Sequence, residues 1–232
     1  MGQRICYTKN NSGVRLGDLL LQHYEAFRLW YLREDRLATE GNYTFGHEAV
    51  AHYLQQAGDL AAGFDNLEQQ LADELTLQFI GYCDLVENES PMLELFGPCC
   101  STWRYEAGTE MVERTGDAEF IKLWHFLVTG RSLKNNAGFN SYEKGYNIGF
   151  LSREECLVLK TKIETRFGNR GVIKERYWTA LEKKQEADAR AKANGGPYGL
   201  SGHNPVSEGL ELVLQMLDEM DDAAEVVTTI EC

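Results

Sequence analysis

The chain has 232 residues, 43% apolar, 25% charged and 11% aromatic, the balance of an ordinary globular protein long enough to bury a sizeable core. Disordered, collagenous and coiled-coil arrays are excluded. A net charge of -13, from 36 acidic against 23 basic side chains, repels nucleic-acid phosphates and anionic bilayers, so neither a nucleic-acid nor a membrane partner is expected.

The charge is unevenly spread. From Leu37 to Trp103 there are eleven acids and no Lys or Arg, and from Ala193 to Cys232 there are eight acids and again no base. All basic residues fall within 1–36 and 104–192. Two readings compete: the two acidic blocks form one negative face for a cationic partner, or they are the solvated sides of helices paired with basic ones.

The segment Met1–Asn10 lacks the apolar stretch of a secretory signal, and the Leu-rich stretch from Leu16 carries Asp18, Glu25 and Arg28. The expected location is the cytoplasm. Six cysteines, at 6, 83, 99, 100, 156 and 232, are then expected as reduced thiols, because a chain with a normal core does not need disulfide staples.

In chain order, Arg4 to Lys9 fits a short strand ended by the turn Asn10-Asn11-Ser12-Gly13. Apolar residues at Leu16, Leu19, Leu20, Tyr24, Phe27, Trp30 and Tyr31 predict an amphipathic helix from Leu16 to about Leu37. Shorter patterns predict helices at Glu48–Gln56 and Asn66–Val86, the second capped by Asp65. Periodicity lapses between Asn88 and Gly108, where Pro91 and Pro98 act as breakers and Ser101 to Tyr105 reads as a strand. A helix from Ala118 to Val128 stops at Gly130, and a polar loop runs from Arg131 to Tyr146. Ser152 and Glu155 make a capping box for a helix reaching Phe167 and stopped by Gly168. Val172–Ala193 becomes highly charged after Leu181 and frays into the glycine-rich segment after it. A last amphipathic helix starts near Val206, and the β-branched run Val226–Ile230 suits a terminal strand.

No motif names a reaction. His47 and His52 flank Glu48 but stand five residues apart, which turns their rings about 140° away from each other on a helix, so no metal site is expected. His23 lies on the apolar stripe of the first helix and reads as a packed histidine. Cys99 and Cys100 are adjacent and unsuited to bridging one another. No phosphate loop, dinucleotide fingerprint or nucleophile elbow is present, and no cofactor is expected. The richest group of interaction-prone residues is Trp103, Arg104 and Tyr105 with His125 and Arg131, since aromatics and Arg anchor contacts in desolvated pockets. These five are the candidate partner-binding residues. Trp124 reads as core.

Three stretches of the C-terminal half carry a family resemblance. Leu123-Trp124-His125-Phe126-Leu127-Val128-Thr129-Gly130 looks like an aromatic-rich helix with a Thr-Gly end, Gly149-Phe150-Leu151-Ser152-Arg153-Glu154-Glu155 opens the next helix, and Leu210 to Ile230 supplies a Leu-rich helix and a closing strand. In this order they resemble the bacterial family designated domain of unknown function 1877. The resemblance covers at most half of the chain and leaves residues 10–115 outside. It implies an α+β bacterial cytoplasmic protein and assigns no catalytic residue.

The expected fold is α+β, predominantly helical with a small sheet formed by the N- and C-terminal strands, in a single domain 1–232 whose internal seam, if any, falls near 88–108. The expected function is non-catalytic: an acidic interaction protein, immunity- or inhibitor-like, recognising a basic protein partner through steering charge. The alternatives are a small hydrolase or transferase using His125 in a cleft lined by Trp103 and Arg131, and a structural module without a specialised surface.

Overall fold

Strand β1 (Arg4–Asn10) alternates its side chains so that Ile5 and Tyr7 face one side of a sheet and Cys6 and Thr8 the other. In the computed structural model the described residues are 4–33, 47–56, 60, 64–85, 93–134, 147–194, 208–220 and 222–231. The turn after β1 forms as expected: Asn10 Oδ1 accepts from the Ser12 amide, and Gly13 takes a positive φ of 78°. Helix α1 (Leu16–Tyr31) follows, and the residues its sequence stripe singles out, from Leu16 to Tyr31, are buried apart from the half-buried Trp30. The helix ends at Tyr31 with Leu32 as its C-cap, short of the expected end at about Leu37.

Helix α2 (His47–Gln56), a 3-10 turn (Phe64–Asn66) and helix α3 (Gln69–Leu85) come next. Asp65 lies inside the 3-10 turn, so it is not the cap of α3. Strand β2 (Leu93–Ser101) leads through Thr102 into helix α4 (Trp103–Glu113). This corrects the expected strand at Ser101–Tyr105: pairing with β1 outweighs the breaking tendency of Pro98, and the helix starts where that ladder ends.

Helix α5 (Ala118–Val128) is capped by Asp117, which accepts from the Phe120 amide, and ends at Gly130 with φ 137°. Strand β3 (Asn147–Ser152) had only been read as the run before a capping box. That box forms in full: Ser152 accepts from the Glu155 amide while the Glu155 side chain accepts from the Ser152 amide, starting helix α6 (Arg153–Phe167). Helix α7 (Arg170–Ala193), helix α8 (Glu208–Asp218) and strand β4 (Glu225–Glu231) complete the described elements. The segment from Asn135 to Tyr146 and the glycine-rich stretch after Asn194 lie outside the described residues.

The sheet order is β2-β1-β4-β3, every neighbouring pair antiparallel. The two terminal strands therefore meet in the centre, with Ile5 opposite Ile230 and Lys9 opposite Val226. The fold is α+β, as expected, with a helical layer on each face of the sheet. One face packs α1, α2 and α3 against Leu93, Ile148, Phe150 and Val227. The other packs α4, α5, α6 and α8, with the start of α7, against Ile5, Tyr7, Leu151 and Val226. Adjacent residues such as Val226 and Val227 enter opposite cores, which is the period-two alternation of a strand buried on both sides. The chain passes from the first layer to the second through β2, inside the interval where the helical pattern lapses.

Candidate functional site

The two acid-rich blocks do not fold side by side. The described acids at Asp65, Glu68, Asp73 and Glu74 belong to the layer carrying α3, whereas Glu208, Glu211 and Asp218 belong to α8 on the opposite face of the sheet. The expected single anionic face made by both blocks is thereby corrected. The reason is topological, since β4 and the helix before it enter the sheet from the second layer.

The blocks also differ in their partners. Glu208 pairs with Arg104 at 2.8 Å, Glu211 with Arg170 at 2.7 Å, Asp218 with Lys160, Asp222 with Arg153 at 2.9 Å, and Glu225 with Arg15 at 3.6 Å. These five C-terminal acids are thus neutralised, four of them by the base-rich middle segment, while Glu219 accepts from the uncharged Gln215. In the first block, Asp73 accepts from Gln69 and Ser132, Glu74 from Gln78, and Glu94 from Asn11, all uncharged donors. Among the described residues no Lys or Arg forms an ion pair with Glu68, Asp73, Glu74 or Glu94. Carboxylates of one sign set up a negative field, and the stretch of α3 and the residue before it that carries Glu68, Asp73 and Glu74 is the candidate site.

The five predicted contact residues separate. Trp103 is 51% exposed at the start of α4, with the Arg104 guanidinium 5.5 Å from its ring. Arg104 is engaged with Glu208. Tyr105 is buried, its hydroxyl accepting at 2.8 Å from Tyr7, and burial pushes both phenols well above their usual range. Arg131 is 2% exposed: it lies between the rings of Phe126 and Phe150, gives two hydrogen bonds to the Glu155 carboxylate at 2.7 and 3.0 Å, and donates to the Phe150 carbonyl. Tyr105 and Arg131 are therefore buried and bonded within the fold. An Arg stacked between aromatics and forked onto a carboxylate satisfies its charge without solvent.

His125 sits near the end of α5, far along α4 from Trp103. Its Nε2 is 3.1 Å from Glu113 Oε1 and its Nδ1 is 2.9 Å from Thr129 Oγ1. The expected carboxylate partner is present, but neither Trp103 nor Arg131 forms a cleft with it. The Thr129 contact was legible as an i, i+4 pair on one helix; Glu113 required the packing of α4 on α5. A groove of about 390 Å³ lies at the other end of α5, lined by Thr115, Asp117, Phe120, Thr161, Lys162 and Arg166 among others. Lys162 there is held by Asp117 at 2.8 Å and Glu119 at 3.0 Å, bonds that raise its pKa.

Two features escaped the sequence reading. Ser132, next to Arg131, is buried and donates to Asp73 at 2.6 Å while also contacting Gln69, so the segment after α5 is tied to α3 across the layers. Cys6 and Cys99 form a disulfide, which corrects the expectation of six reduced thiols; Cys83, Cys100 and Cys156 are buried. Strand pairing brings 6 and 99 together, and no local spacing announces it. His23 is half-buried and His52 exposed, and no group of His, Cys, Asp or Glu that could hold a metal ion occurs among the described residues. No described helix is long and apolar enough to cross a membrane.

Compared with protein-family models, curated proteins and solved structures, the chain matches none.

Proposed function

We propose that the protein is a non-catalytic interaction protein whose acid-rich layer docks a basic protein partner. One observation carries this reading: among the described residues Glu68, Asp73 and Glu74 of the first block form no ion pair, whereas five acids of the second are ion-paired internally. Unpaired surface carboxylates of one sign accelerate encounter with a cationic partner and suppress anionic ones. The docking surface is the outer side of α3, with Glu68 and Glu74 as its charges; the exposed Trp103 and Trp178 belong to the opposite layer. The resemblance to the domain of unknown function 1877 family is part of this proposal. Its three segments map onto α5, β3 with the start of α6, and α8 with β4, which pack together on one half of the sheet. A cytoplasmic setting is retained, and the Cys6–Cys99 bond makes it dependent on the thiol chemistry taken up below.

The test is capture at low and high salt with three baits: the natural protein, the double variant Glu68→Lys with Glu74→Lys, and the control Glu106→Lys with Glu110→Lys on α4. A basic protein held at low salt by the natural protein and the control, released by salt and lost with the first double variant, supports the reading. Equal capture by all three baits overturns it.

A second reading has one specific support. Glu113, His125 and Thr129 stand in the order carboxylate, imidazole, hydroxyl at hydrogen-bond distances, the arrangement by which a base is oriented toward a hydroxyl nucleophile. Ester hydrolysis abolished by both His125→Ala and Thr129→Val would establish it; hydrolysis surviving either change would remove it.

A further inference from the structure

The Cys6–Cys99 disulfide joins β1 to β2 across 93 residues of sequence, with the Cα atoms 4.3 Å apart. It falls where the ladder is irregular: Ile5 pairs with Cys100 and Tyr7 with Phe96, so Cys6 alone faces Gly97, Pro98 and Cys99. Extra residues on one strand, one of them a proline with no N–H, cost ladder hydrogen bonds at that point. The covalent bond thus holds edge strand β2 where its backbone pairing is weakest. The two residues also differ in access: Cys6 is 5% exposed, whereas Cys99 is an exposed residue. Cys100 faces the opposite core, and burial pushes its thiol pKa up, so it is a poor attacking group for reshuffling.

We propose that this bond is a thiol-reversible clasp on β2, entered at Cys99 by a small thiol or a dithiol reductant. The incoming thiolate attacks the accessible Cys99 sulfur, the Cys6–Cys99 bond breaks, and Cys6 leaves as a thiolate that takes up a proton, leaving a mixed disulfide on Cys99. A second thiol attacks the outer sulfur of that mixed disulfide and releases Cys99 as a thiol. Two reductant thiols are oxidised to one disulfide and the protein disulfide is reduced to two thiols. Since β2 carries the chain from one helical layer to the other and leads into α4, opening loosens the joint between the layers without removing the central β1–β4 pairing.

Two measurements on the unsubstituted protein test this. Under native conditions and limiting glutathione, mass spectrometry is expected to find the mixed disulfide on Cys99 and not on Cys6. After full reduction, amide exchange in 93–101 is expected to accelerate about tenfold or more, a ratio corresponding to about 1.4 kcal/mol, with 225–231 unchanged. In variants, Cys6→Ser takes up glutathione from its disulfide at Cys99, whereas Cys99→Ser leaves Cys6 unmodified. Thiolation first at Cys6, unchanged exchange in β2 on reduction, or equal acceleration across all four strands would each overturn the proposal. So would recovery of both residues as free thiols from protein equilibrated with oxidised glutathione.

Discussion

Removing the guanidinium of Arg131 leaves the Glu155 carboxylate without its counter-charge and takes away the group that contacts the Phe126 and Phe150 rings. Loss of one partner from a buried, hydrogen-bonded ion pair costs about 3–5 kcal/mol, so Arg131→Ala is expected to lower the urea midpoint by that amount of stability, and Arg131→Lys to recover only part because it cannot fork onto both oxygens. Glu155 and Glu225 should respond to acid in opposite senses. Burial pushes Glu155 up, but the Arg131 hydrogen bonds, the Ser152 amide and the Arg131 charge outweigh it and hold its pKa below the usual range. Its contribution is present above the ordinary carboxylate pKa and is lost as pH falls through the depressed value. Burial dominates at Glu225 and raises its pKa despite the Leu16 amide and Arg15. The folded form therefore holds that proton more tightly, and stability gained by protonation fades as pH rises through the raised value. Glu225→Gln is expected to flatten the pH–stability curve just above the usual Glu range, measured by denaturant titration at a series of pH values. A curve unchanged by this substitution would contradict the burial argument.

At the scale of elements, two close approaches set how the helices sit. A methyl group on Gly149 would meet the Thr228 hydroxyl and lie 2.5 and 2.7 Å from the carbonyl oxygens of Phe126 and Leu127, so β3 touches the end of α5 without a side chain between them. Gly209 does the same for α8, where a methyl would lie 2.8 Å from the Tyr105 Cα and 2.9 Å from the Arg104 carbonyl. Gly149→Ala and Gly209→Ala are each expected to cost about 1–3 kcal/mol by overpacking, read as a fall in thermal midpoint. Local signals were legible in the sequence: the capping box at Ser152 and Glu155, the Gly130 and Gly168 stops, and the apolar stripes of α1 and α5 all depend on residues within a few positions of one another. Strand β2 was missed because Pro98 reads as a breaker, and what holds it in the sheet is β1, some 90 residues away. Tyr105, Arg131, Ser132 and the Cys6–Cys99 pair were misread or missed for the same reason, since burial and bonding partners come from other elements. Helix α7 marks the opposite limit. Past Ile173 its described side chains are mostly exposed, and Glu186 with Arg190 is a surface pair worth little, so amides of 182–193 should exchange faster than those of α6.

Across the whole molecule, one sheet buried on both faces separates Glu68, Asp73 and Glu74, which form no ion pair among the described residues, from Glu208, Glu211 and Asp218 of α8, which are ion-paired internally. Summed charge alone did not show this; -13 describes the chain as a whole, and only the fold shows which acids the bases of 104–192 compensate. The most direct measurement of the docking claim is zero-length coupling of carboxylates to amines in a complex captured at low salt, with the joined residues identified by mass spectrometry. Partner lysines are expected on Glu68, Glu74 or their neighbours Asp65 and Asp73. Links confined to α4, α6 or α8, on the opposite face of the sheet, would contradict it.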